Sequence, residues 1–473
     1  MEENSQALNA ERLLCRKLDL LLRTGQILVE SSADTSRIRR NLDRAAAYLG
    51  LPQENLHVYV DYYMLEVNLS DEQHSYSKMQ RCDKHGINMY AIQEISKLTW
   101  RAIQNDYTLD QYSDALENIA SAKRYYSEWM VAICAGFACG GFCIQFGCDW
   151  TAFFYASIAA ILGNRLRMYL NHCGINTYFN IAVAAFVSTL LAWLSHFMSV
   201  PAVQAALPAW LAPIVFSSTP WHPLMACALF IVPGVPLINF VSDMLDNHIE
   251  TGLVRATNTL LMIVAMSFGI ALAIKVCGID NFVKDLSMTP HHNFVEFAIA
   301  AAISAMGFAT IFNVPKRLMP WVAIGGIIAV CSRNFINLGP SNHNVGLDLG
   351  PIIGTLCGSA LISIINIKMM HVIHTPHQCI TIPAVIPMVP GVLMYRALYG
   401  IIDMQGVVGE VTFATHNAIN GSLLIIMIAV GVDIPNILGR KIIQPGQRKR
   451  LERLIKERKA RGKFVDLCHM CNN

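Results

Sequence analysis

Between Met168 and Ser242 the chain carries no aspartate, glutamate, lysine or arginine. A hydrocarbon layer about 30 Å thick needs roughly 20 apolar helical residues to cross it, so this run has room for two crossings and a neutral loop. Shorter uncharged runs recur from Trp129 to about Gly439. Hydrophobic residues make up 54% of the 473 positions against 15% charged, and the mean hydropathy is +0.40. That balance excludes an ordinary soluble enzyme. The expected architecture is mostly α, a polytopic membrane protein with about ten spans. They fall near 129–147, 151–170, 177–197, 221–242 and 255–275, then 294–312, 319–338, 347–367, 379–402 and 418–438.

The first 127 residues have a different character. Met1 to Asn9 is polar and no signal-peptide pattern follows, so this segment is expected to stay in the cytosol. Leu13, Leu14, Leu18, Leu21, Leu22 and Leu28 recur at helical spacing, and Ser36 to Leu49 forms a second amphipathic stretch ending at Gly50. The segments 57–60 and 63–67 then alternate as paired strands, and Ile92, Ile95, Leu98 and Ile103 restore a helical stripe. A small α+β cytosolic domain over 1–127 is the expectation. The membrane halves take 128–285 and 286–440, and a basic cytoplasmic tail takes 441–473.

Basic residues set the topology. With Lys123 and Arg124 inside, the pairs Arg165/Arg167 and Lys316/Arg317, together with Arg255, Lys368 and the tail, also fall inside, which places both termini in the cytoplasm. Lys275, Lys284, Arg333 and Arg396 fall on the other side. Arg333 and Arg396 are candidates for the protein interior, where an ionisable group is by default functional, against the plainer reading of interfacial anchors. The basic tail suits an anionic leaflet, or simply enforces topology as a solvated helix end. The 14 cysteines show no disulfide spacing, and Cys468 and Cys471 form a lone CxxC pair.

Two interruptions carry the functional reading. Val232-Pro233-Gly234-Val235 and Val389-Pro390-Gly391-Val392 each break a stretch otherwise fit to cross a bilayer, at a separation of 157 residues (390 − 233). Unwound backbone survives at membrane depth only where it lines a cavity or is buried in protein, so matching breaks in two halves point to a transporter's central site. Five crossings per half make the halves enter in opposite directions, giving inverted repeats. Each proline removes a donor and leaves free amides at the start of the next half-helix, which attract anions. Kinks that only shape packing are the bland alternative.

A metal-dependent intramembrane enzyme is the competing class. His371, His374 and His377 recur every third residue, and His291-His292 lies elsewhere. No acidic partner stands at helical spacing, and the domain over 1–127 shows no nucleophile, base and orienter set, so it is expected to be a regulatory or gating appendage rather than a catalyst. The chain is therefore expected not to be an enzyme, with no catalytic residue, metal or cofactor.

Several blocks are similar to the threonine/serine exporter family. They are Gly86-Ile87-Asn88-Met89, Phe146-Gly147-Cys148-Asp149-Trp150, and Pro233 to Asn239 with Asp243, Gly252, Leu253 and Arg255. The second half adds Gly307-Phe308-Ala309, Phe312-Asn313-Val314-Pro315 and Ile386 to Gly391 with Tyr395. Cys148 stands where the family usually has a smaller residue. The resemblance implies a proton-driven secondary exporter of the bacterial inner membrane, with both halves on one chain. Related systems divide the halves between two polypeptides, and some of these resemble succinate exporters, so the substrate class stays open. On this reading Pro233, Gly234, Pro387, Pro390, Gly391 and Tyr395 build the substrate site, and Asn239, Asn313, Arg333 and Arg396 supply polar and cationic contacts. Asp243 is the proton-coupling candidate, because a buried carboxylate can load and release a proton as its surroundings change. A solvated helix-end acid beside Asp246 and Glu250 is the alternative. The partners implied are a small amino acid or dicarboxylate, protons and membrane lipid, with no nucleic acid; homo-oligomer formation is left open.

Overall fold

The computed structural model describes residues 2–460 except 53, 71–74, 207, 209, 211–214, 280–291, 341–344, 374 and 403–407. The CxxC pair, Lys284, His291 and His374 lie outside the described residues. The chain divides into two compact units. The first takes residues 1–123, 242–255 and 437–473, and the second takes 124–241 and 256–436.

In the first unit, α1 (Glu2–Glu30) and α2 (Thr35–Leu49) are followed by strands β1 (Leu56–Val60), β2 (Met64–Ser70) and β3 (Ser75–Arg81), then α3 (Met89–Gln104) and α4 (Leu109–Ala120). The leucine stripe of α1 does what its spacing predicts: Leu18, Leu21 and Leu28 are fully buried, with Ile38, Leu42, Leu65, Ile95 and Leu116 around them. Burying each such side chain contributes about 1.5–3 kcal/mol. Helix ends follow local chemistry. Asp34 caps α2 through the Arg37 N–H, Gly50 ends it at φ 71°, and Thr108 with Gln111 forms a capping box on α4. The sheet is antiparallel in the order β1-β2-β3. The third strand was not expected from sequence. Its half-buried face is Tyr76, Lys78 and Gln80 and its exposed face Ser75, Ser77, Met79 and Arg81, so it lacks the apolar face that marks a strand.

The second unit is helical. It contains α5 (Glu128–Gln145), α6 (Trp150–His172), α7 (Thr177–Met198), the short α8 (Pro201–Ala206) and α9 (Pro223–Ala226), and the start of α10 (Gly234–Leu245). Most of α11 (Ile249–Val276) follows, then α12 (Phe294–Ile311), α13 (Met319–Asn337), α14 (Gly350–Ile373), α15 (Gln378–Val385), α16 (Gly391–Ile402) and the first part of α17 (Val408–Ala460). Among the described residues seven helices are long and apolar enough to cross a membrane, and nine spans result if each bent pair counts as one. Ten were expected. The difference is α6, which has a span's length at 23 residues but carries Arg165 and Arg167 in its C-terminal half.

Helices α5 and α12 pack through a reciprocal contact. A Cβ added at Gly141 would meet Ser304 and lie 2.7 Å from the Ala300 carbonyl oxygen. One added at Gly307 would meet the Cys134 carbonyl and lie 2.7 Å from the Ala138 methyl. Each glycine thus faces the residues three and seven before the other. Close approach through small residues is how membrane helices gain packing without a hydrophobic drive.

Candidate functional site

The two proline-glycine breaks are superposable in sequence register. A 3₁₀ turn at Leu229–Ile231 precedes the first and another at Ile386–Met388 precedes the second. Val232 (φ −55°, ψ 121°) and Val389 (φ −63°, ψ 128°) are both extended. The Gly234 N–H then donates to Val232 at 2.8 Å and the Gly391 N–H to Val389 at 2.9 Å. Helices α10 and α16 restart at those glycines and have 12 residues each. The chain bends by 59° at the first break and 50° at the second. Proline explains both, since the ring prevents the preceding residue from staying helical.

The breaks also meet. A Cβ at Gly234 would lie 2.5 Å from Ile386 Cδ1 and 3.7 Å from Val389 Cγ2. A Cβ at Gly391 would lie 2.8 Å from Leu229 Cδ2 and 3.0 Å from Val232 Cγ2. Each glycine therefore touches the residues five and two before its counterpart, and a methyl group at either position would have to push the tip of Ile386 or Leu229 aside. The neighbours at this seam are apolar side chains, so in this conformation the two breaks close on each other.

Polar groups flank the seam. Asn239 and Arg396 stand five residues after their respective glycines and are buried to 3% and 8% exposure. Tyr395 is 1% exposed, and its hydroxyl has no hydrogen-bond partner among the described residues. A buried hydroxyl without a partner costs roughly 1–3 kcal/mol, so it is a group with reason to meet water or a ligand. The Sγ of Cys227, just before the first break, lies 3.9 Å from the Thr189 hydroxyl of α7. The half-helices differ in donors. Proline 236 removes an N–H from the first turn of α10, whereas Leu393 supplies one at the same place in α16.

Other expected site residues lie on other elements. Asn313 follows α12 at φ 55°, and its Oδ1 accepts the Tyr125 N–H at 2.9 Å. Arg333 on α13 donates from Nε and Nη2 to Asn334 Oδ1 at 3.0 and 2.8 Å. Sequence reasoning missed Gln145, at the end of α5. It is 2% exposed and its amide has no hydrogen-bond partner on either atom among the described residues. No motif signals it.

Asp243 belongs to the first unit, with the rest of the turn from α10 into α11. It is buried rather than solvated, at 1% exposure. Its Oδ2 faces Arg255 Nε at 3.2 Å, and its Oδ1 accepts the Thr35 N–H at 2.9 Å. Arg255 also donates to the Ala33 carbonyl at 2.8 Å and lies over the Tyr62 ring at 5.8 Å. Ser36 hydrogen-bonds Asp246. A buried ion pair of this kind is held by its extra hydrogen bonds, and loss of one partner strands the other charge. Among the described residues no group of three or more histidine, cysteine, aspartate or glutamate side chains is arranged to hold a metal.

Paired broken helices in a bundle of long apolar helices define a polytopic membrane protein. The family described as "Putative threonine/serine exporter" matches residues 19–277, and the one described as "Threonine/Serine exporter, ThrE" matches residues 297–438. The chain belongs to the threonine/serine exporter family. It is similar to the threonine/serine exporter of Corynebacterium glutamicum, 21% identical over 90% of this chain and 83% of that one. It is also similar to the probable succinate transporter subunit YjjP of Escherichia coli K12, 25% identical over 56% of this chain and 96% of the relative. The Klebsiella aerogenes YjjP is 29% identical over 42% of this chain and 70% of its own length. These relatives are transporters by name, not enzymes. No solved structure matches the chain.

Proposed function

We propose that this chain is a secondary active exporter of small carboxylate-bearing metabolites, threonine and serine first, driven by the proton gradient across a bacterial inner membrane. The observation that carries the reading is the reciprocal seam at Gly234 and Gly391. Two half-helices built in the same register and closed on each other form an element with two arrangements, together or parted, which alternating access requires. Counting α6 as a span gives ten crossings in two inverted sets of five, with the first unit and both termini on the cytoplasmic side.

In this scheme the substrate carboxylate goes to the start of α16, which has the extra N–H at Leu393 and the Arg396 guanidinium. Asn239 and the Tyr395 hydroxyl take the remaining polar groups. Arginine's planar fork suits a carboxylate, and burial strengthens the contact. Asp243 couples to the proton through its ion pair: protonation removes the charge that holds Arg255 and loosens the turn between α10 and α11. Asn313 and Arg333 have supporting parts near helix ends.

A succinate exporter is the second reading, favoured by the two relatives named as succinate transporter subunits. The test loads vesicles carrying purified protein with labelled threonine, serine or succinate and imposes a pH gradient. Gradient-dependent movement of threonine or serine supports the first reading, and movement of succinate alone supports the second. Absence of movement for all three, with the protein folded, rules out both.

A further inference from the structure

The first unit contains an open cleft of about 350 Å³ that none of the residues assigned to transport lines. Its size suits a small metabolite. One wall is the start of α2, which contributes Arg39; another is the turn from α10 into α11, which contributes His248 and Glu250; the third is β1. Strand β1 is the sheet's edge, and its pairing fixes which groups face outward. The Asp61 N–H bonds to Met64 and the Ser70 N–H to Asn55, so residues 55, 57, 59 and 61 turn their backbone groups toward β2. Val58 and Val60 turn theirs away, because inward and outward residues alternate in an antiparallel ladder. The Val60 carbonyl accepts the Thr251 hydroxyl at 2.9 Å, which agrees with that alternation. Val58 thus offers one donor and one acceptor to the cleft. Glu250 is held in place by the Tyr59 hydroxyl at 2.8 Å.

We propose that this cleft binds a small zwitterion of the α-amino acid class, with its carboxylate on Arg39, its ammonium on Glu250 and its main-chain polar groups on the outer edge of Val58. The cleft offers a cation, a carboxylate and a backbone donor–acceptor pair. An amino acid is the small metabolite that presents the complementary set. A nucleotide would bring phosphates toward Glu250 with one arginine to offset them, and an apolar ligand would bury Arg39 and the strand edge unsatisfied. The turn at residues 246–248 joins α10 to α11, whose first residues include Glu250, so an occupied cleft braces that junction against β1 and α2 and makes the site a sensor of the amino acid pool. The choice of threonine and serine as probes rests on the exporter reading; the cleft's chemistry does not.

The experiment is amide hydrogen exchange on the full chain in lipid nanodiscs, titrated separately with L-threonine, L-serine and succinate. Threonine or serine should slow exchange at residues 56–60 and 247–251, and succinate should not. Arg39→Ala and Glu250→Gln should each raise the half-saturating concentration about tenfold, as loss of one charged hydrogen bond weakened by exposure to water does, and Arg39→Lys should fall between. Arg39 and Glu250 are exposed, so these variants keep the fold. Absence of protection by either amino acid, or protection unchanged in both variants, overturns the site. Protection by succinate alone overturns the zwitterion assignment. Transport measured on the same protein preparation reconstituted in vesicles separates the two readings: protection without transport removes the exporter reading alone, and transport without protection removes the cleft alone.

Discussion

The two broken helices share a backbone and differ in everything that carries charge. Each has the same 3₁₀ turn, extended valine and 12-residue restart. Five residues past the glycine the first has Asn239 and the second Arg396. Nine past it, the first has Asp243 and the second Gly400. The first half-helix runs on into a turn that belongs to the first unit, where Asp243 pairs with Arg255. The shared geometry follows from the proline-glycine pair at each crossing, while the polar positions beyond it differ. On the proposed reading the first break is the one fastened and gated by an ion pair, and the second is the one that meets an anion.

The largest expected effect tests what the breaks share. Val232→Cys with Gly391→Cys places the two sulfurs within disulfide reach, since a Cβ at 391 lies 3.0 Å from Val232 Cγ2. In a background with native cysteines replaced, oxidation should abolish transport and reduction restore it; full activity of the cross-linked protein would show that the seam need not part.

Asp243→Asn comes next. It leaves Arg255 buried without its counter-charge and should cost about 3–5 kcal/mol of local stability, read as faster amide exchange over residues 33–36 and 243–255. Gradient-driven movement should disappear while exchange of substrate across the membrane continues. Wild-type coupling in this variant would remove Asp243 from the mechanism.

Third, Arg396→Ala should weaken carboxylate binding by roughly 100-fold and Asn239→Ala by about tenfold, the difference between losing a charged and a neutral hydrogen bond. Equal losses measured by substrate binding would erase the proposed division between the halves.

The smallest effect concerns acid. His85 stacks on Tyr62 at 4.1 Å, and burial, followed by the Arg255 charge, lowers its pKa below the ordinary 6.5. The unfolded chain then binds the proton more readily than the folded one. The stabilisation is complete above 6.5 and is lost as pH falls through the lower folded value. His85→Phe should flatten the decline in melting temperature between about pH 7 and 5; an unchanged slope would assign that decline to other groups.

Much of this arrangement was legible because it depends on local chemistry. Proline and glycine announced both breaks at their correct separation, Gly50 ended α2, and uncharged runs located the apolar helices. What escaped depends on contacts between distant segments. Residues 242–255 look like any polar connection between spans, and nothing local says that they pack with residues 1–123. Helix α17 runs to Ala460 through Pro445-Gly446, a dipeptide that ordinarily ends a helix. Before Ala460 the basic tail packs on the first unit: Arg450 lies over Trp100 at 5.6 Å, as Arg44 does at 5.2 Å. Asn239 and Arg396 were legible as polar residues, but their equivalence became visible only once the glycines were aligned.

The first unit is assembled from three separate lengths of chain, and the last of them, 437–473, comes from the far side of the link at 280–291. If the protein were made in two pieces cut at that link, neither piece would own a complete first unit. The fragment with the amino terminus would lack a helix that only its sister could supply. Formation of that small unit would then act as a proofreading step, certifying that both halves of the carrier had found each other before either was put to use.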